Sequence, residues 1–289
     1  MNHFETAKSY LFVPANRPDF IAKSHLRGAD VIVLDLEDSI PMAQKSFARE
    51  QLFTAIAQLK KQDQVIAIRI NSELEDICAD LAAIDLSQVD CLLLPKAEDA
   101  SVINFIVTYL TQLEQRQNCV QGSTYLIPMI ETCRGVFNMR EIAQSTPRII
   151  ALALGSEDLS SELGVPPSPE SLINVCQQMV LAAGEADIAV LGFPGSIAEF
   201  RDRNKLSEQF SMAKRLGFSG VLCVHPVQVI EANLVFSPSL EQQEWAKQVI
   251  SAMAAAEKQG LGACKLDGRM IDAPVVALAH QIIAQAKTE

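Results

Sequence analysis

Eight short β-rich runs recur along this 289-residue chain at a spacing of roughly 30 residues, each followed by a helical pattern. They span 9–15, 30–37, 64–71, 90–96, 124–132, 148–154, 187–193 and 220–225. Between them, segments such as 41–60, 100–115, 168–183 and 196–216 repeat apolar residues at threes and fours, as amphipathic helices do. Strand alternating with helix implies right-handed parallel crossovers, and eight such units imply closure into a barrel. An open doubly wound sheet is the rival. It would place a glycine-rich phosphate turn after the first strand, where this chain reads VPANRPDF. The expectation is an α/β fold, a (β/α)8 TIM barrel over residues 1–236 with a C-terminal helical extension over 237–289. That extension reads as 240–258 helical, then a loop and a last helix. It exceeds what barrel closure requires, and we expect a capping or subunit-contact element that carries a site residue.

Composition narrows the function. A formal charge of -11 and a pI near 4.9 exclude a surface built for nucleic acid or an anionic membrane, so an anionic ligand must meet local positive charge. Seven scattered cysteines (Cys78, Cys91, Cys119, Cys133, Cys176, Cys223, Cys264) form no C-x-x-C pair, which is the thiol usage of a reducing compartment without structural zinc. The opening residues MNHFETAKSY lack a basic region followed by an apolar core, and no apolar run approaches a membrane span. We expect a soluble, cytoplasmic protein.

Barrel sites are assembled from the residues that follow each strand. The second run, DVIVLDLED, is apolar until it ends in Asp35, Glu37 and Asp38, and ionised groups there need water, a cation or a polar ligand. Other strand ends add Asn16 and Arg17, Arg69 and Asn71, Lys96 and Glu98, Glu131, Glu157 and Asp158, and His225. Glu131 and Asp158 follow adjacent strands, so their carboxylates can converge on one hard cation completed by waters, as Mg²⁺ prefers. Alternatively, Glu131 caps the following helix and pairs with Arg134. Asp35, Glu37 and Asp38 fit a second layer holding metal-bound waters, although Asp38 also suits a cap for the helix starting near Pro41. Arg69 offers a planar fork for a substrate carboxylate, or an ion pair with Asp35 or Glu37, and both can hold at once. Arg17 suits a phosphate or carboxylate, or simply the surface. Lys96 reads as the cation neutralising the acid cluster, since an amine among carboxylates has a raised pKa and makes a poor nucleophile. His225, held extended by the proline after it, reads as structural more readily than catalytic. Cys133 has no histidine near it in sequence and makes a weak candidate nucleophile.

The segments LFVPANRP, DVIVLDLEDSI, IRIN, LLLPKAE, IETCRGVFN, LGSEDLSSELG, CVHPVQV, NLVFSPS and DGRMIDAP occur in an order that resembles the citrate lyase β-subunit-like proteins of the HpcH/HpaI aldolase superfamily. The resemblance covers nearly the whole chain. It implies a barrel, usually a homotrimer, that cleaves or forms a C–C bond in a β-hydroxyacyl thioester such as malyl-CoA, citramalyl-CoA or a citryl thioester. By motif it implies Glu131 and Asp158 as Mg²⁺ ligands, Arg69 on the keto-acid carboxylate, and Arg17 near substrate or CoA. Asp272 of GRMIDAP matches an aspartate that relatives insert into the neighbouring subunit's site as acid/base. The chain departs from the pattern at three places: Cys176 replaces a common arginine, Leu191 marks a replaced aspartate, and Val221 stands for a lysine. These losses weigh on the thioester side. They keep open a lyase subunit acting on a carrier-protein thioester, and a malyl-CoA thioesterase.

Overall fold

The computed structural model describes residues 3–286, which fall into two compact units, one from His3 to Leu234 and the other from Val235 onward. The first unit contains β1 (Ser9–Pro14), β2 (Val31–Asp35), β3 (Val65–Arg69), β4 (Cys91–Leu94), β5 (Tyr125–Ile130), β6 (Ala151–Leu154), β7 (Ala189–Leu191) and β8 (Val221–Cys223). All pair in parallel in the order β7-β6-β5-β4-β3-β2-β1-β8. A bridge from Leu191 to Gly220 and a 2.9 Å bond from the Gly192 amide to the Gly220 carbonyl bring β7 onto β8. The ring therefore closes as a (β/α)8 TIM barrel. A Cβ on Gly220 would sit 2.8 Å from the Lys8 carbonyl oxygen, so only glycine lets the last strand approach this closely.

The connections carry α1 (Pro18–Ser24), α2 (Lys45–Lys60), α3 (Leu74–Ala83), α4 (Ala100–Arg116), α5 (Cys133–Gln144), α6 (Ser156–Leu163), α7 (Pro169–Ala186), α8 (Arg203–Leu216) and α9 (Pro226–Phe236). Strands enclosed on both faces read as continuous apolar runs. In β2, Val31 and Val33 join Ala67, Leu93, Ile127 and Ala153 in the barrel interior, while Ile32 and Leu34 alternate toward the opposite face. No helix among the described residues is long and apolar enough to cross a membrane.

Three local differences from the sequence expectation have physical causes. Strand β6 starts at Ala151 instead of 148, because Leu126 faces Ile149 while Met129 faces Ala153. One extra residue on the β6 side makes a bulge that breaks the ladder. Helix α8 starts at Arg203 instead of 196, because the Asp202 side chain accepts from the Asn204 and Lys205 amides and caps it there. In the second unit, α10 (Leu240–Glu257) and α11 (Ala273–Ala286) flank a hairpin of β9 (Cys264–Leu266) and β10 (Arg269–Ile271) where only a loop was expected. Asp267 and Gly268 turn it at φ values of 49° and 78°, the Asp-Gly hairpin signal. Ala246, Val249, Ile271 and Ala279 form this unit's own core.

At the end of the barrel away from the strand carboxyl termini, Arg148 donates to Glu114 Oε1 at 2.7 Å and to Oε2 at 2.6 Å, and both residues are buried. Removing one partner strands a buried charge. Arg148→Met is therefore expected to lower unfolding free energy by about 3–5 kcal/mol in urea titration, with the kinetics of the remaining folded enzyme unchanged.

Candidate active site

Five carboxylates and one guanidinium meet in a cavity of about 470 Å³ at the carboxyl ends of the strands: Asp35, Asp38, Glu131, Glu157 and Asp158, with Arg69. Asp35 and Arg69 are register partners across β2 and β3. Arg69 Nε donates to Asp35 Oδ1 at 2.7 Å and Nη2 to Oδ2 at 2.8 Å. Its Nη1 lies 3.0 Å from Glu37 Oε2 and 3.2 Å from Asp38 Oδ2, and the guanidinium stands 4.7 Å from the centre of the Phe12 ring. The planar fork expected for a substrate is thus gripped by Asp35. What faces the cavity is an arginine fixed in orientation by three acids. Burial alone would raise the Asp35 carboxyl, but the bonds from Arg69 outweigh it and hold the group below the ordinary carboxylate range. Glu37 has no such match. Its Oε2 is buried without a hydrogen-bond partner, since the Arg69 contact is an ion pair lacking hydrogen-bond alignment. Burial pushes Glu37 up to about 7 against the pull of Arg69.

Across the barrel, Glu131 follows β5 and is 3% exposed. Its Oε1 accepts the Lys96 amide at 2.7 Å, and Lys96 adopts a left-handed φ of 47° as it makes this bond. Burial, then the charge on Glu37, raises Glu131 to about 8, and Asp158 adds to the repulsion. Asp158 sits in the first turn of α6. Neither reading of Glu131 as a helix cap or as the partner of Arg134 describes its contacts: Thr132 caps α5, and Arg134 pairs with Asp99. Likewise Asp38 caps no helix, and α2 begins only at Lys45.

Gly155 lies against Glu131, and a Cβ there would overlap both the Cβ and the carboxylate of Glu131. Gly155→Ala is expected to lose about 1–3 kcal/mol of stability together with most activity, read by melting curves and steady-state rates. A stable, fully active variant would show that the position of Glu131 is not critical.

Lys96 differs from expectation. Its side chain is exposed and lines a separate cavity of about 280 Å³; its amide bonds Glu131, and its charge also pulls Glu37 down. The lysine that does buttress the second strand end is Lys45, whose Nζ donates to the Leu36 carbonyl at 3.0 Å and the Glu37 carbonyl at 3.2 Å and also to Asn71 Oδ1. Asn71 in turn donates from its amide and side chain to buried Asp80, at 2.7 Å each. Sequence reading missed Lys45 because it lies inside a helix, away from any strand end.

Arg17 is outside the cavity, exposed, bonded to Asp19 at 3.0 and 2.9 Å and stacked on Phe20. Asp272 belongs to the second unit, where its carbonyl accepts the Val276 amide ahead of α11. His225 stacks on Phe200 at 4.2 Å, and its Nδ1 accepts the Val227 amide, so it reads as structural. Burial and the nearby Glu162 charge raise the Cys133 thiol, which leaves it a poor nucleophile. Cys176, Leu191 and Val221 are all fully buried in apolar core. Leu191 lies at the β7–β8 closure beside Gly220, next to Val221, so the aspartate and lysine of the resemblance would be neighbours there. Replacing both by apolar residues leaves no unpaired buried charge.

Residues 8–226 match the family model described as HpcH/HpaI aldolase/citrate lyase. The chain belongs to that family. As a member of the HpcH/HpaI aldolase/citrate lyase family it is a carbon–carbon lyase. It is 28% identical to the citrate lyase subunit beta of Leuconostoc mesenteroides subsp. cremoris, over 99% of this chain and 95% of that protein. It is 29% identical to a (3S)-malyl-CoA thioesterase of Cereibacter sphaeroides (strain KD131 / KCTC 12085), over 97% and 94%. Among solved structures, CitE from Mycobacterium tuberculosis in complex with magnesium, acetoacetate and coenzyme A superposes with a TM-score of 0.74 at 29% identity, covering 98% of this chain and 99% of that one.

Proposed function

We propose that this lyase is Mg²⁺-dependent and cleaves, or in reverse forms, a β-hydroxyacyl thioester. One observation carries the reading: of the cavity's acids, Asp35 and Asp38 are matched by Arg69, while Glu131 and Asp158 face each other's charge with, among the described residues, no cationic side chain bonded to either. Two hard oxygen donors in excess of local positive charge fit a divalent cation. Among the described residues no group of three or more His, Cys, Asp or Glu is arranged around a metal. Glu131 and Asp158 would hold Mg²⁺ as a pair, the rest of its shell coming from water and substrate oxygens, as the ion prefers. When bound, Mg²⁺ supplies Lewis-acid polarisation of the keto oxygen. The magnesium, acetoacetate and coenzyme A bound by the M. tuberculosis relative agree with this chemistry.

In cleavage, the bond between the carbinol carbon and the thioester α-carbon breaks. The hydroxyl gives its proton to water and becomes the keto oxygen, and the bonding pair passes to the thioester as an enolate that takes up a proton on carbon, so that one proton leaves and one is returned. Arg69, locked by Asp35, Glu37 and Asp38, presents fixed positive charge to the keto-acid carboxylate and needs no reorganisation. The Lys96 amide fixes one oxygen of Glu131. Asp35, Glu37 and Asp38 thus act behind the reacting atoms. For Arg17 we propose a role on the CoA side only after release from Asp19.

Asp272 is the proposed proton donor to the enolate, delivered from a neighbouring copy of a homotrimer. Mixing inactive Asp272→Asn with inactive Glu131→Gln should restore up to about a quarter of wild-type activity by forming mixed assemblies. No restoration would contradict donation in trans.

The reading is tested by incubating malyl- and citramalyl-CoA with the protein and Mg²⁺. Keto acid with acyl-CoA is expected. Malate or citramalate with free CoA, and no keto acid, would indicate the thioesterase alternative. Activity only on a carrier-bound thioester would indicate a lyase subunit.

A further inference from the structure

We propose that the keto acid handled here carries one carboxylate and a small apolar substituent, as pyruvate and 2-oxobutyrate do, and that oxaloacetate, with its second carboxylate, is disfavoured. The inference rests on the lyase reading and deepens it by naming the substrate class. The cavity has two unlike sides. One follows β2, β3, β5 and β6 and holds the acids with Arg69; the other, at β7, β8 and β1, presents Ile197, Leu222, Val224 and Phe12, the last against Arg69, while Met129 and Leu154 sit just ahead of the acids on β5 and β6. Among the described residues Arg69 is the cavity's single cationic lining residue, so one carboxylate of the keto acid finds a cation and a second does not. With the carboxylate and keto oxygen of the keto acid drawn to the Arg69 and Glu131 side, its substituent turns to the apolar wall.

A second carboxylate has two places to go, and neither suits it. Against the apolar wall it is desolvated without a partner. Turned back, it meets Asp38 and Glu157 at like charge. A methyl or ethyl group, by contrast, buries against side chains that cannot move aside. Phe12, Met129, Leu154 and Leu222 are borne on β1, β5, β6 and β8, and strand-borne walls hold their shape better than loops. Ile197 is held near by its carbonyl, which accepts from Gln228 Nε2 at 2.8 Å. Glyoxylate, with hydrogen in place of the substituent, leaves the wall uncovered and ranks between.

Two measurements test this. With Mg²⁺, kcat/KM for citramalyl-CoA, which releases pyruvate, should exceed that for citryl-CoA, which releases oxaloacetate, by at least about 100-fold, with malyl-CoA intermediate. Equal or faster cleavage of citryl-CoA overturns the proposal. Calorimetric titration with the free keto acids in Mg²⁺ decides the ranking independently of turnover. Pyruvate and 2-oxobutyrate should bind at least about 10-fold tighter than oxaloacetate, and the reverse order overturns the proposal. If no thioester is cleaved, the lyase reading fails alone, and calorimetry still ranks the substituents. Val224 is 44% exposed and accepts a charge without burying it. Val224→Arg should shift the preference toward oxaloacetate by about 10-fold, and an unchanged ranking overturns the wall assignment.

Discussion

Glu131→Gln is expected to cut keto-acid release by at least about 1,000-fold and, at the same time, to raise the melting temperature of the metal-free protein by about 2–4 °C. The opposite signs follow from one arrangement. The carboxylate is almost wholly buried, and Glu37 and Asp158 repel its charge. Among the described residues, the Lys96 amide is the group bonded to it. Without a cation the charged form is therefore a strain on the fold, and burial is the largest part of it. A glutamine keeps an oxygen for the Lys96 amide and removes the charge, so the empty site relaxes. On the proposed ligand pair of Glu131 and Asp158, the same change removes half of the protein's share of the Mg²⁺ shell. Wild type should gain about 2.7 kcal/mol of stability at Mg²⁺ one hundred times its dissociation constant, and the variant almost none. Steady-state rates and calorimetric melting with and without chelator read both effects. A variant that melts lower without metal, or that stays active, would contradict the role given to Glu131.

Arg69→Met is expected to cost about 3–5 kcal/mol of stability in addition to activity, because it leaves Asp35 buried without its counter-ion. Glu37 loses its contact in the same step. Arg69→Lys should recover little, since an ammonium cannot make the two parallel bonds to Asp35 Oδ1 and Oδ2. Removing the charge from both partners, in Arg69→Met with Asp35→Asn, should be milder than the sum of the single changes. A double-mutant cycle from urea unfolding gives the coupling directly. Additive effects would mean that Arg69 and Asp35 act separately and that the locked guanidinium is not a unit.

Much of the barrel was legible in the chain because strands enclosed on both faces must be apolar throughout, and eight such runs at regular spacing leave few ways to close. The acids at strand ends were legible for the converse reason: a carboxylate after a buried strand is costly unless the site uses it. What the sequence hid was direction. Lys96 was visible as a cation near the acids, but nothing local showed that a left-handed φ also turns its amide to Glu131. Lys45 was invisible because its contact depends on α2 folding back beside β2, and no local pattern marks that. Ile197 read as part of a helix, since Ile197 and Phe200 repeat at helical spacing. The cap at Asp202 and the breakers Pro194 and Gly195 were the signals against it. The Asp267–Gly268 hairpin carried its own signal, and short flanking strands made it easy to pass over.

The central claim is that Glu131 and Asp158 hold a cation on which the keto acid is bound, with Arg69 turned to its carboxylate. A crystal structure of the protein soaked with Mg²⁺ and pyruvate tests it most directly. The account predicts one Mg²⁺ bonded to an oxygen of Glu131 and an oxygen of Asp158 at about 2.0–2.1 Å, with pyruvate on the metal and its methyl group toward Leu222 and Val224. Metal bound at Asp35 or Glu37 instead, or pyruvate seated away from Arg69, would contradict it.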